Sequence, residues 1–169
     1  MNPGAVPPRD SQLSRVYAAE EFVRTLFDRA AQHSSRLVDF FGEPLTLPPE
    51  ARFASMESVQ RYVDEVMSLS AVRARWPRAA GLTVRPRRGA TAAHYETAGG
   101  AGVIAVPARS DWALRELVVL HEVAHHLCPE ETPPHGPGFV TTFCALAGIV
   151  MGPEAGHVLR VVYAKEGVR

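Results

Sequence analysis

A helix that has to be buried constrains the fold of this chain more than any other stretch. From Ser110 to Pro129 the sequence reads SDWALRELVVLHEVAHHLCP, and apolar residues occupy nearly every side of its helical projection. A helix without a polar face lies in the interior of a protein. Ser110 or Asp111 can cap its start, and Pro129 prevents it from continuing beyond about Cys128. The rest of the chain must therefore pack around this helix.

Two histidines and a glutamate interrupt the apolar surface of this helix. His121 and His125 are four residues apart, so their imidazoles lie about 40° apart around the axis and roughly 6 Å apart along it. Both can reach one zinc ion at the usual Zn–N distance of about 2.0–2.1 Å. Glu122 lies about 100° around the helix from His121, where it can hold and deprotonate a water molecule on the metal. Unpaired polar groups in a core cost about a few kcal/mol each, which argues against three residues buried without a purpose.

A catalytic zinc site usually has three protein ligands and leaves a fourth position for water. His135 is the preferred third ligand, because it ends the proline-rich loop PEETPPHG just before the helix start at Pro137. The alternative ligands are Cys128, His126, Glu130, Glu131 and Glu154. Cys128 lies about 7.5 Å along the axis from the midpoint of the two histidines, and His126 points about 100° away from His125. Acidic loop residues such as Glu130 and Glu131 are usually only solvated, and Glu154 belongs to a later helix.

The remaining patterns predict helices on both sides of a small sheet. We expect an amphipathic helix over Ser14–Gln32, then a hairpin or extended loop in RLVDFFGEPLTLPPE, and then one helix over SMESVQRYVDEVMSLSAVRARW. Three short strands follow in LTVRP, TAAHYET and GVIAVP. The final helices should start near Pro137 and Pro153. Helices followed by strands and then by helices indicate an α+β fold, with a small antiparallel or mixed sheet packed on helices.

The strand GVIAVP directly precedes the buried helix, and we expect it to be a sheet edge that pairs with an extended peptide. Proline at Ile104 tests this expectation. His94 is expected to face water or the wall of the cleft. Tyr163, His157 and Arg160 are candidates for stabilising a developing oxyanion, since a C-terminal helix could return to the site.

Bulk properties limit the partners and the compartment. The chain has 169 residues, which suits one domain over residues 13–169 after a disordered leader over residues 1–12. Its net charge of zero disfavours nucleic acid as the main partner, although six arginines form a local basic cluster: Arg73, Arg75, Arg78, Arg85, Arg87 and Arg88. Two cysteines, no signal peptide and no apolar run long enough to cross a bilayer predict a cytoplasmic protein without a membrane partner.

The segments HEVAHH, from His121, and HGPGF, from His135, resemble the SprT-like zinc metallopeptidase pattern, in which an HExxH helix precedes a His-Gly ligand segment. The upstream strands with HYE and GVIAVP resemble a minigluzincin core, and the whole chain is similar to a group of small bacterial zinc metallohydrolases. This resemblance implies Zn²⁺ ligands at His121, His125 and His135, with Glu122 as the general base. The cysteine-rich zinc ribbon of many SprT-like proteins is missing, so their DNA-linked protein substrates are not implied.

The sequence therefore predicts a zinc metallohydrolase, and specifically a metallopeptidase that acts on a peptide or protein substrate. Two alternatives remain open. One is a zinc hydrolase of a non-peptide amide or ester, and the other is a metal-stabilised binding or regulatory protein in which Glu122 is idle.

Overall fold

A computed structural model describes residues 6, 8–77, 79–89 and 92–169. This part of the chain forms six helices and two small sheets: α1 (Leu13–Ala31), β1 (Leu37–Phe40), β2 (Glu43–Thr46), α2 (Met56–Ser68), α3 (Ser70–Arg75), β3 (Leu82–Arg87), β4 (His94–Ala98), β5 (Ala101–Pro107), α4 (Glu116–Leu127), α5 (Pro137–Val150) and α6 (Pro153–Lys165). The predicted α+β class is confirmed. Half of the predicted leader, residues 1–5 and 7, and Arg78 of the basic cluster lie outside the described residues. None of the described helices is both long and apolar enough to cross a bilayer.

Helix α4 forms the centre of the molecule, as its composition predicts. Every one of its residues except His125 is buried. Helix α5 packs along one side of α4, while α2 and the strands β4 and β5 contact other sides. Gly102 on β5 allows the close approach of strand and helix, because a Cβ atom there would collide with the ring of His126. The central helix is therefore held in a fixed position against the sheet.

The start of α4 differs from the prediction. The helix begins at Glu116, whereas Ser110 belongs to a separate turn in which its carbonyl accepts the backbone N–H groups of Ala113 and Leu114. Arg115 is extended, with φ −136° and ψ 150°, and its guanidinium donates to Glu50 at 2.6 and 2.9 Å. The prediction of a cap at Ser110 or Asp111 was wrong because this buried ion pair keeps Arg115 outside the helix.

The segment that was predicted as one helix over residues 55–76 forms two. Ser55 caps α2 in a reciprocal arrangement with Ser58, but the chain breaks at Leu69, which has φ −57° and ψ 131°. In a continuous helix Val66 and Val72 would point about 120° apart. The break turns α3, so that both valines are buried.

The three-stranded sheet has the order β3-β5-β4, with β3 parallel and β4 antiparallel to β5. The GVIAVP segment is therefore the central strand, and its prediction as an edge was wrong. Its continuous apolar character is that of a strand buried on both faces, and Ile104 is fully buried. Proline at Ile104 would break the middle of the sheet and would not test peptide binding. Strand β4 is the edge next to α4.

Candidate metal centre

Three imidazole rings converge at the end of α4. His121 and His125 come from that helix, and His135 comes from the loop that precedes α5. The Nε2 atom of His121 lies 3.2 Å from Nε2 of His125 and 3.4 Å from Nε2 of His135. One nitrogen of each ring lies within 4.8 Å of the other two, so the cluster could bind a metal ion. Nitrogens arranged tetrahedrally around zinc at about 2.0–2.1 Å are about 3.3–3.4 Å apart, and this spacing fits one shared cation.

His121 is oriented by a buried carboxylate on α1. Its Nδ1 atom lies 2.9 and 3.0 Å from the two carboxylate oxygens of Glu20. The hydroxyl of Tyr163 donates to the same carboxylate at 2.5 Å, and the guanidinium of Arg24 lies 3.9 Å from it. A hydrogen bond at Nδ1 fixes the tautomer of a histidine and presents Nε2 to a metal. Glu20 therefore directs the free nitrogen of His121 into the cluster.

Glu20 and His121 each stabilise the charged form of the other. Burial alone would raise the pKa of Glu20, but His121, Tyr163 and Arg24 lower it below its usual value. Burial alone would lower the pKa of His121, but the charge of Glu20 and the hydrogen bond to it raise that pKa above its usual value. In the metal-free chain the two residues thus favour an ion pair.

His135 is held by the segment that precedes α1. Its Nδ1 atom lies 2.7 Å from Oδ2 of Asp10, and its carbonyl accepts a hydrogen bond of 2.5 Å from the amide of Gln12. The ring of Tyr17 packs edge-on against the ring of His135, with 5.5 Å between ring centroids. The described part of the predicted leader thus contributes to the site.

His125 completes the cluster as a neutral imidazole. Its ring stacks on Phe139 with 4.3 Å between ring centroids. Burial, followed by the charges of His121 and His135, lowers the pKa of His125 to about 2. At physiological pH its nitrogen lone pair is therefore available to a cation.

Glu122 lies beside the three histidines on the wall of an open cleft of about 290 Å³. Tyr17, His94 and Tyr95 line the same cleft. Burial raises the pKa of Glu122 above its usual value, while the charge of His121 and the backbone N–H of Tyr95 oppose the rise. A carboxylate with a raised pKa that faces a solvent-filled cleft is suited to accept a proton and to release it again.

The alternative ligands have other roles or lie elsewhere. The thiol of Cys128 donates to the carbonyl of Ala124 at 2.9 Å. The ring nitrogens of His126 contact the hydroxyl of Tyr95 at 3.2 Å and the carbonyl of Ala80 at 2.7 Å. Glu131 accepts the N–H of Gly138 at 3.0 Å and so caps the first turn of α5. Within the described ranges, these residues and also Glu130 and Glu154 are not part of the histidine cluster.

The three residues proposed to stabilise an oxyanion do not line the cleft. Tyr163 is buried and bound to Glu20, and His157 and Arg160 are exposed on α6. The tyrosines that line the cleft are Tyr17 and Tyr95, and sequence reasoning did not assign a role to either. One residue in the sequence indicates that α1 faces the site. Glu20 is a carboxylate within the apolar stripe of α1, and a buried carboxylate needs a partner.

Comparison with known proteins gives no assignment, since no protein-family model, no curated protein and no solved structure matches this chain. The site itself consists of three convergent imidazoles, a buried carboxylate beside them and an open cleft in front of them.

Proposed function

We propose that the protein is a zinc-dependent metallohydrolase with a minigluzincin-like core, and that it cleaves peptide bonds. The observation that carries this proposal is the convergence of three Nε2 atoms in a cleft that also contains the carboxylate of Glu122. Imidazole ligands suit zinc. Structural zinc sites are usually closed by four protein ligands, whereas catalytic sites have three and keep one position open.

The residues of the cleft supply the other parts of a hydrolysis. When bound, a zinc ion polarises a substrate carbonyl and lowers the pKa of a neighbouring water molecule. Glu122 accepts one proton from that water as its oxygen bonds to the carbonyl carbon. Glu122 then passes the proton to the amine nitrogen as the C–N bond breaks, which leaves a carboxylic acid and an amine.

Tyr17 is the donor that we assign to the developing negative charge on the carbonyl oxygen. Burial, together with the charges of Glu122 and Glu20, raises the pKa of its hydroxyl. The hydroxyl therefore keeps its proton at neutral pH and can donate a hydrogen bond. Such a donor stabilises an oxyanion more in the transition state than in the ground state.

The geometry of β4 supports a peptide as the substrate. Gly99 and Gly100 have φ of 58° and 84°, as in a two-residue type I′ turn, which makes Ala98 and Ala101 a hydrogen-bonded pair. Because such pairs alternate along antiparallel strands, the backbone N–H and C=O groups of Tyr95 and Thr97 point away from β5. The N–H of Tyr95 is directed to Glu122, and the remaining groups of this edge can pair with an extended peptide beside the cleft.

The test is a Glu122→Gln variant, compared with wild type on a peptide library after both have been loaded with zinc. We expect turnover to fall by about 10²–10⁴-fold, because the general base is lost. Zinc content measured by plasma mass spectrometry should not change, since Glu122 is not a ligand. Glu130→Gln, the same change at an exposed loop residue, is the matched control.

Each alternative function has its own outcome. Full turnover by Glu122→Gln would show that this residue is not the base. Cleavage of small amides or esters without cleavage of any peptide would identify a non-peptide hydrolase. Zinc binding without any turnover by wild type would favour a binding or regulatory protein.

A further inference from the structure

A second cavity adjoins the metal cleft on the other side of Tyr17. Its volume is about 220 Å³, and it shares Tyr17, His121 and Glu122 with the cleft. We call it the Trp112 pocket, and its other walls are Glu20, Glu21, Arg24, Ala92, Trp112 and Val118. Any group bound there lies directly beside the proposed general base.

The walls of the Trp112 pocket are mainly apolar. The side chain of Trp112 is 45% exposed, although tryptophan is among the side chains that bury the most surface in folded proteins. The buried side chain of Val118 lies behind it, and the ring of Tyr17 forms the side towards the metal cleft. Exposed aromatic surface in a concave site is typical of a place that binds an apolar group.

Two of the charged groups of this pocket, Glu20 and Arg24, are paired, and a third, Glu21, lines its exposed side. Glu20 accepts hydrogen bonds from Tyr163 and contacts His121. The guanidinium of Arg24 lies over the ring of Trp112, 4.9 Å from its centroid, and 3.9 Å from Glu20. Since Glu20 and Glu21 both offset the positive charge of Arg24, the pocket disfavours an acidic side chain, and its apolar walls favour an apolar one.

We propose that the Trp112 pocket binds a large apolar side chain, of the size of phenylalanine, leucine or methionine, on the substrate residue next to the cleaved bond. We place this side chain next to the cleaved bond because His121 and Glu122 line both the Trp112 pocket and the metal cleft. This inference rests on the proposed function and adds the class of substrate to it.

Binding can be measured without catalysis. The probes are the N-acetyl amides of phenylalanine, leucine, alanine, glutamate and lysine, with affinities from saturation-transfer NMR. We expect the phenylalanine and leucine amides to bind at least about tenfold more tightly than the alanine amide, which is the discrimination that a small apolar pocket provides. Equal affinities, or tighter binding of the glutamate or lysine amide, would overturn the proposal.

Variants at Trp112 tie this preference to the pocket. Trp112→Ala should remove it and Trp112→Phe should largely keep it. Because nearly half of the side chain is exposed, neither change should unfold the chain, and circular dichroism checks this. Trp76→Ala is a matched control, since Trp76 also carries an arginine over its ring, with Arg75 at 5.3 Å, but lines a separate cavity. A preference that survives in Trp112→Ala would refute the assignment.

A peptide library separates this inference from the proposed function. Cleavage by the zinc-loaded protein should show large apolar residues on one side of the cut, and Trp112→Ala should lose this bias. Cleavage without any side-chain preference would contradict the proposed role of the Trp112 pocket, but it would be consistent with the proposed hydrolase function. The amides could show a preference that depends on Trp112 while no peptide is cleaved. That result would support the Trp112 pocket and count against peptide hydrolysis.

Discussion

The carboxylate of Glu20 decides which nitrogen of His121 is free, although the two residues are 101 positions apart in the chain. Glu20→Gln should keep the shape of this contact but remove the negative charge that supports the imidazole. We expect the dissociation constant for zinc to rise by about 10–100-fold, as is usual for a residue that supports a metal-bound histidine. Competition with a chromophoric chelator measures the constant.

The control for this prediction is the neighbouring residue. Glu21→Gln makes the same chemical change at an exposed position of α1, and it should leave zinc affinity unchanged. Equal affinities of Glu20→Gln and wild type would mean that His121 does not need its carboxylate.

The affinity for zinc should increase with pH because of His121. The pKa of this residue is raised above its usual value of about 6.5 in the metal-free chain, so zinc has to displace a proton from it. His125, with a pKa near 2, is already neutral. Calorimetry in buffers of different ionisation enthalpy should detect release of about one proton at pH 6, declining as the pH passes the raised pKa of His121. An affinity that does not change between pH 5.5 and 8 would contradict this.

The ion pair between Glu20 and His121 also affects the stability of the metal-free fold. Its contribution to stability decreases with pH, whereas the affinity for zinc increases. A raised pKa of His121 in the folded, metal-free chain means that its protonated form stabilises the fold below about pH 6.5. This contribution is lost as the pH rises through the raised pKa, where zinc binding becomes strongest.

Sequence reasoning identified the site residues that follow a local rule. The helical spacing of His121, Glu122 and His125, and the position of His135 between a proline-rich loop and a helix start, could be read directly from the chain. Asp10 and Tyr17 could not, because no periodicity indicates a contact across more than a hundred residues. Such contacts exist only once α1 has packed beside α4.

At the scale of elements, we expect a peptide substrate to pair with the exposed edge of β4. Thr97→Pro removes a backbone N–H that points away from β5, and proline is tolerated at such edge positions. We expect the fold to persist while kcat/KM for peptides falls by up to about tenfold, the effect of one lost hydrogen bond. Turnover of a small amide should not change. Thr97→Ala keeps the N–H and should behave like wild type.

Proline at Glu96 gives the converse result. The backbone of this residue is directed towards β5, so the substitution should disrupt the sheet, as measured by circular dichroism. A folded Glu96→Pro variant would show that the assumed alternation along β4 is wrong.

The errors of prediction at this scale have physical causes. The apolar run of GVIAVP indicated a strand but not its neighbours, since an edge and a central strand differ in pairing that forms later. The start of α4 depends on an ion pair between Arg115 and Glu50, which are 65 residues apart. No glycine or proline marks the break at Leu69, so the local sequence favoured a single helix there. Local propensity predicted the type of each element better than its ends.

At the scale of the whole molecule, a metal ion would connect segments that are distant in the sequence. His121 and His125 belong to the central helix, and His135 is tied to Asp10 and Gln12 ahead of α1. Zinc at about 100 times its dissociation constant should raise the free energy of unfolding by about 2.7 kcal/mol. For a chain of this size that corresponds to a rise in Tm of about 5–10 °C. Scanning calorimetry measures it.

The control for this stabilisation is His135→Ala. This variant keeps two ligands on α4 but removes the one from the loop, so zinc should raise its Tm much less. An equal rise in both proteins would mean that zinc stabilises the chain from another place.

The arrangement of the whole chain was the least predictable part. The α+β class followed from the order of patterns, but the packing of α1 against α6 and the sheet order did not. One example is the side chain of Gln12, whose amide donates to the carbonyls of both His135 and Arg169. A single polar residue before the first helix gives no local sign of such a role.

One face of α1 carries Tyr17, Glu20 and Arg24, spaced so that all three point the same way. The middle residue holds His121 in place, and its two neighbours line the Trp112 pocket. Substitutions at Arg24 and Trp112 should therefore change the proposed side-chain preference while Tyr17 and Glu20 are kept. A library at positions 24 and 112 would then alter selectivity separately from metal retention.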